Sequence, residues 1–528
     1  MGYWEVVYEL NSTLSICSKY VVFIFTLVPV VLLYILIIKP FKYWKNKGVV
    51  QYSVCANLRD TLLAIISYRP VSESIEKIYN DFSYARYCGH YQFSKPMLLI
   101  RDLELIKQIT VKDFDNFMDH TTFFPEDTEP LWGKNLISLT GDKWRHMRAT
   151  LSPSFTSSKM KFMFQSMSEY AENFVKFFEE QSGTITLEMK DIFTRFTNDI
   201  IATSAFGINC DSMRNPDNEF YKMGKDLTNF SDLLRQIKIF LLIIMPRLLY
   251  KLGLRFISTN VSTFFTTIVK ENLKNRETNN IVRSDMVQLL MEARKNTNKV
   301  YDDGVQRKTL TDEDITAQVL IFFFAGFESV SMLMCFMAHE LAVNVDIQER
   351  LQSEIDDALI QHEGILSYET LSKLTYMNMV LSGKKWPVSL VSDRICTEPF
   401  TITSTNNSEI ELHLKKGDLV MIPTFAIHRD SKYYVDPQRF DPERFNDENK
   451  YSVPQYGYLP FGLGSRNCIG NRFALMETKL LFFYLLSKFN LVVIDKTRVP
   501  LKLANNSFQV TSKDGFWLGL TSRKKLVN

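Results

Sequence analysis

Phe461-Gly462-Leu463-Gly464-Ser465-Arg466-Asn467-Cys468-Ile469-Gly470 decides how this chain reads. A glycine loop allows the backbone to approach a flat ligand closely. An apolar helix is expected directly after it, from Arg472 to about Phe489, and a helix N-terminus favours a negative charge such as a thiolate. One cysteine without a CxxC partner does not suit zinc or an iron–sulfur cluster, which need several ligands. It does suit a single axial thiolate on haem iron. Two plainer readings compete. A lone cysteine is commonly a small buried hydrophobe. Gly462-x-Gly464 could open a dinucleotide fingerprint, but Asn467 stands where the third glycine belongs and no acidic strand end follows at the right distance.

The spacing Phe-x-x-Gly-x-Arg-x-Cys-x-Gly resembles the haem-binding signature of the cytochrome P450 family. Phe461, Gly464, Arg466, Cys468 and Gly470 match its five defined positions. The resemblance implies that these residues contact haem b and that Cys468 ligates its iron.

Length and composition are compatible with that. The chain of 528 residues carries a near-balanced net charge of +3, which gives no nucleic-acid reading. Forty phenylalanines and twenty methionines suggest a large apolar interior able to take an apolar ligand. Seven scattered cysteines argue for a reducing compartment and against a disulfide framework. No phosphate loop, HExxH or GxSxG is present.

Val21 to Ile38 is an uncharged run whose helical length, roughly 27 Å, approaches a bilayer's apolar core. Lys39, Lys42, Lys45 and Lys47 follow it, so the positive-inside rule places the long C-terminal part in the cytoplasm. The expected division is residues 1–48 as luminal tail, membrane anchor and basic flank, and residues 49–528 as the haem-thiolate domain. Asn11-Ser12-Thr13 would face the lumen as a glycan acceptor. A buried helix is the alternative for the apolar run. Val49 to Leu63 lacks the proline-rich hinge usual in membrane-bound family members.

Further segments resemble family motifs in the expected order. Trp144 and Arg148, four residues apart, share a helix face, and such a pair suits a carboxylate; the resemblance assigns them to a haem propionate. A helix capped by Thr311 is expected to run to about Val343 and to cross the domain. In its middle, Ala325-Gly326-Phe327-Glu328-Ser329 resembles the family's oxygen-binding motif. Gly326 would make room for O₂, Ser329 would hydrogen-bond the activated oxygen, and Glu328 would relay protons. The plainer alternative is a packing glycine with a serine bonded back to its own helix. Most members have threonine where Ser329 stands. Phe324, Val388, Leu390 and Phe508 are expected to line the substrate pocket, and Arg394 to reach a propionate. Phe240 to Leu254 could pack internally or dip into the membrane interface. His428 has no metal partner at ligand spacing and reads as structural. Tyr91 to Asp102, Phe400 to Ile422 and the residues around Asp514-Gly515 read as strand–turn–strand.

One departure stands out. After the helix Tyr368 to Ser382 the family carries Glu-x-x-Arg, paired with an arginine further on. This chain reads Ser382-Gly383-Lys384-Lys385-Trp386-Pro387 and is about two residues short there. Lysine cannot reproduce a bidentate arginine fork. Arg444, in Asp441-Pro442-Glu443-Arg444-Phe445, is therefore expected to lack its carboxylate, and breaking a buried pair costs about 3–5 kcal/mol.

Asp113-Phe114-Asp115-Asn116-Phe117 and Ala149-Thr150-Leu151-Ser152-Pro153-Ser154-Phe155 look most like insect microsomal members of the xenobiotic-metabolising group. The implied fold is mainly α with a smaller β-rich part (α+β), with an N-terminal transmembrane anchor. The implied activity is insertion of one oxygen atom from O₂ into small lipophilic substrates at the endoplasmic reticulum membrane. Electrons would come from NADPH through NADPH–cytochrome P450 reductase, with cytochrome b5 and membrane lipid as further partners. Lys143, Arg145 and Arg472 would attract the acidic reductase surface. Three alternatives remain: a haem-thiolate isomerase or dehydratase, a non-catalytic membrane-anchored haem- or ligand-binding protein, and a gap in the recorded sequence at Glu-x-x-Arg.

Overall fold

The computed structural model describes residue 27 and residues 39–523, except 93–94, 231, 284, 298–308, 384–385, 406–409 and 506–509. The anchor, Asn11, Lys384, the Asn406-Asn407 turn and Phe508 therefore fall outside the described residues, apart from Leu27 in the anchor.

In chain order the elements used below are α1 (Val54–Ile65), β1 (Tyr87–Gln92), β2 (Lys95–Ile100), α2 (Gly141–Leu151), α3 (Ser157–Glu179), β3 (Ile185–Glu188), α4 (Met189–Ile201), α5 (Leu233–Ile244), α6 (Pro246–Lys251) and α7 (Thr259–Asn279). They continue with α8 (Asp312–Val343), α9 (Val345–Gln361), α10 (Tyr368–Lys373), α11 (Thr375–Ser382), β4 (Ser392–Ile395), β5 (Phe400–Ile402), β6 (Leu412–Leu414), β7 (Leu419–Ile422), α12 (Asn471–Lys488), β8 (Phe489–Val492) and β9 (Trp517–Ser522).

The architecture is the expected mainly helical domain with a smaller β part. One sheet runs β1-β2-β7-β4, a second β3-β9-β8, and a third β5-β6. β2 and β7 pair in parallel, with Leu98 opposite Val420, and the other pairs are antiparallel. Two hydrophobic clusters follow this division. The larger gathers α2, α3, α4, α8 and α12, and the smaller packs around β1, β2 and β7. Packing extends N-terminal of residue 49: Trp44 is fully buried against the β1 cluster and donates Nε1–H to His90 O.

α8 organises the helical part. Thr311 accepts from Asp314 N and the Asp314 carboxylate accepts from Thr311 N, a reciprocal capping box. Its residues are apolar nearly all round, as expected for a helix enclosed by others rather than lying on a surface. At Gly326–Val330 the helix widens into a single π turn, a feature common at functional positions.

Some local expectations shift. The helix expected over 368–382 is broken at Leu374 into α10 and α11. Asp514-Gly515 forms a turn, but β9 beyond it pairs with β3 and β8 rather than folding back on the preceding residues. Within the stretch from Val49 that lacks a proline-rich hinge, Val54–Ile65 forms α1.

Candidate haem-thiolate site

The cysteine loop owes its path to two glycines with positive φ, Gly462 at 74° and Gly464 at 72°. A Cβ on Gly464 would lie 1.9 Å from Thr110 O, so no other residue fits. Gly464–Arg466 makes a 3₁₀ turn, and Cys468 N closes the loop by donating to Phe461 O at 2.8 Å. α12 starts three residues after the cysteine.

Cys468 is exposed, yet burial pushes its thiol pKa up, against a hydrogen bond from Gly470 N–H and the nearby Arg148 charge. In the middle of α8, otherwise largely buried, Ala325 and Ser329 are exposed, and their spacing of four puts them on one face. The π turn packs against α12, and a stack of Phe322 on Phe155 at 5.5 Å, with Phe155 3.7 Å from the Cβ direction of Gly470, links α8 to the cysteine loop.

The charged residues divide into two kinds. Arg466 and Arg148 make hydrogen bonds within the protein. Arg466 donates to Met118 O, Leu136 O and Leu139 O, lies 3.4 Å from Asp119 Oδ1, and sits 4.0 Å over the Trp144 ring. Burial lowers its pKa to about 9. Arg148 donates to Asn467 O and Oδ1, both at 2.9 Å, and so ties α2 to the cysteine loop. Trp144 is buried against Phe114 at 5.6 Å. Arg394 differs. It is buried, donates to Ser392 Oγ, Asp393 O and Leu463 O, and its Nε–H finds no partner among the described residues. An orphaned buried guanidinium N–H beside the cysteine loop is a group that a carboxylate would satisfy. The exposed thiol and the buried Arg394 Nε–H that none of the described residues satisfies together fit haem with its propionates.

Three neighbours were not legible in the sequence. Asp119, His120 and Asp393 surround the two arginines: His120 Nδ1 lies 2.9 Å from Asp393 Oδ1, and Thr121 N donates to Asp393 Oδ2 at 2.6 Å. Asp393 is held down at about 2; burial opposes this, but the His120 and Thr121 hydrogen bonds outweigh it. These residues are brought together from distant strands and loops, so no local spacing signals them.

On the α8 side, Glu328 is buried and paired with Lys190 Nζ of α4 at 2.7 Å. Ser329 Oγ donates to Ala325 O at 2.6 Å, the back-bonded alternative. The Cβ direction of Gly326 meets Ile201 Cδ1 at 3.1 Å, which matches a helix-packing glycine. Phe324 is half-buried among Trp132 (5.4 Å) and Phe230 (6.2 Å). Val388 and Leu390 are half-buried against the large cluster. His428 accepts from Leu459 N through Nε2 at 2.8 Å. Arg444 is nearly buried. It donates to the carbonyls of Val435, Asp436 and Arg439, and the nearest carboxylate to it, that of Asp441, is 4.0 Å from Nε.

A family model for cytochrome P450 matches residues 64–518. Cytochrome P450 9e2 of Blattella germanica is 45% identical over 476 residues, which are 86% of this chain and 88% of that protein. The probable cytochrome P450 9f2 of Drosophila melanogaster is 38% identical over 496 residues, 91% of this chain and 95% of that one. Cytochrome P450 6a2 of the same fly is 35% identical over 489 residues, 90% and 95% of the two chains. The exposed cysteine in its glycine loop and these likenesses agree: the chain belongs to the cytochrome P450 family, whose members are haem-thiolate monooxygenases.

Proposed function

We propose that this chain inserts one atom of O₂ into small lipophilic substrates, with electrons from NADPH delivered by a membrane-bound reductase. The observation that carries the reading is Cys468, exposed at the end of a glycine loop tied to the middle of α8. Haem b bound through Cys468 would supply the activation of dioxygen. Arg394 would hold a propionate through its Nε–H, and Trp144 and Arg148 of α2, which Arg148 ties to the cysteine loop, would meet a propionate as well. Ser329, exposed on α8, would present its oxygen as an acceptor while its O–H stays on Ala325 O. Glu328 would move protons only on leaving Lys190. Phe324, Val388 and Leu390 would meet the substrate with apolar surface.

The same reading places the chain at the endoplasmic reticulum membrane. Leu62, Ile66 and Tyr68 at the end of α1, and Leu234, Leu248 and Leu252 along α5 and α6, are each more than half exposed, and Ser67 Oγ joins the two regions through Gln236 Oε1 at 2.6 Å. Such an apolar surface suits the bilayer interface. Lys143, Arg145 and Arg472 are exposed and would meet an acidic reductase, although Lys143 is paired with Glu126 at 3.5 Å and Arg145 with Asp115 at 2.5 Å. Charge reversal at Lys143 and Arg472 should slow reduction at low salt; unchanged reduction rejects this docking face.

The test of function is turnover of a lipophilic substrate with reductase under isotopically labelled O₂. Label in the product and strict NADPH dependence are expected. NADPH-independent turnover would favour an isomerase or dehydratase. Haem binding without any turnover would favour a binding protein, the reading to which the missing Glu-x-x-Arg points.

A further inference from the structure

α11 ends at Ser382, and Gly383 follows directly against the 441–445 segment. A Cβ on Gly383 would meet Asp441 O, Pro442 Cα and Pro442 N, each at 2.8 Å. Its φ is −70°, so glycine is needed here for space and not for conformation. Phe445, at the far end of that segment, lies 4.8 Å from the Tyr458 ring. Tyr458 also meets Ser382 and stacks on His428 at 5.6 Å with 16° between the planes. His428 accepts the Leu459 N–H, and Tyr434 Oη donates to Gly457 O at 2.8 Å. Residues 457–459, which lead into Phe461, are thus gripped by side chains from 428, 434 and 445. The chain leaving α11 is anchored separately: Trp386 Nε1 donates to buried Glu340 Oε1 at 2.7 Å and its ring stacks on Phe336 at 5.5 Å.

We propose that Gly383, Tyr458 and His428 form a relay that positions the cysteine loop against α11, in the place that Glu-x-x-Arg holds in the family. Gly383 lets the end of α11 come into backbone contact with Asp441-Pro442, and the ring contacts of Phe445 and His428 with Tyr458 carry that position to the cysteine loop. Arg444 is then satisfied by three carbonyls rather than by a glutamate. These are positioning residues: they touch neither iron nor substrate, and they act by orienting the segment that presents the ligand. The inference rests on the haem-thiolate reading of Cys468.

The test uses the full chain and reads two quantities: the share of haem giving a thiolate-type reduced carbon-monoxide band, and the thermal midpoint. Gly383→Ala and His428→Leu should lower the thiolate share at least twofold more than Asp285→Asn does, a remote substitution that lowers the midpoint. His428→Gln, whose amide oxygen can still accept from Leu459 N, should recover much of the share. A thiolate share that follows the midpoint alone across all variants overturns the relay. Amide exchange of residues 457–461 separates this from failure of the haem reading. If the chain takes up no haem, faster exchange there in Gly383→Ala still supports the relay, and unchanged exchange rejects it.

Discussion

Lys190 Nζ of α4 lies 2.7 Å from Glu328 Oε1 in the π turn of α8 and 2.9 Å from Ser331 Oγ just after it. The acid expected to relay protons is thus held in an ion pair by a neighbouring helix. Lys190→Met should destabilise the domain by roughly 1–3 kcal/mol, because it strands a mostly buried carboxylate. Glu328→Gln keeps an acceptor for Lys190 and should cost less stability while lowering NADPH-dependent turnover about tenfold or more. Thermal melts and turnover of the two variants check this, and full turnover in Glu328→Gln would remove the proton-relay role.

Ser329 Oγ is bonded to Ala325 O at 2.6 Å, and that bond alone, with no β-branching, holds its χ1. Threonine at this position would be stiffer. Ser329→Thr should therefore lower the hydrogen peroxide released per NADPH consumed, and Ser329→Ala should raise it. Equal yields in all three proteins would show that this hydroxyl does not hold water at the site.

Arg276 and Asp285 form a bidentate pair with both distances 2.6 Å and side chains 3% and 7% exposed. Removing one partner leaves an uncompensated buried charge. Asp285→Asn should cost about 3–5 kcal/mol. Urea melts should show a clear fall in the midpoint at unchanged slope, while a change under 1 kcal/mol (about a fivefold change in the folding equilibrium) would contradict the burial seen here.

The Asp393 carboxyl, at about 2 in the fold, lies below its ordinary unfolded value near 3.9. A depressed folded pKa gives stability that is full above the unfolded pKa and is lost as pH falls through the folded one. The difference is worth about 2.6 kcal/mol, full above pH ~5 and lost progressively as pH falls towards ~1. Melts of Asp393→Asn should lie below the parent at neutral pH and approach it near pH 2. A gap that persists at pH 2 would mean that the carboxylate charge is not what Thr121 and His120 recognise.

The elements written in short-range pattern were legible. The Thr311 cap, the uninterrupted apolar run to Val343, and the glycines around Cys468 depend on neighbours a few residues away, and α8 and α12 fall within one or two residues of the expected bounds. Partners across long separations were not. Nothing near Glu328 announces Lys190, and nothing near Arg394 announces that Asp393 binds His120. Arg466 looked like a cofactor contact from its place two residues before Cys468, yet its donors go to carbonyls of the 118–139 segment. Arg444 was expected to stand without a carboxylate, and the carbonyl cage that receives it could not be seen in sequence because it is backbone.

The most direct test of the account is the reduced carbon-monoxide difference spectrum of the full chain beside Cys468→Ser. The account predicts that the parent takes up haem and gives the red-shifted Soret band of thiolate ligation, despite lacking Glu-x-x-Arg, and that Cys468→Ser abolishes that band. A parent without the thiolate band, or a Cys468→Ser protein that retains it, would contradict the assignment of Cys468 as the iron ligand.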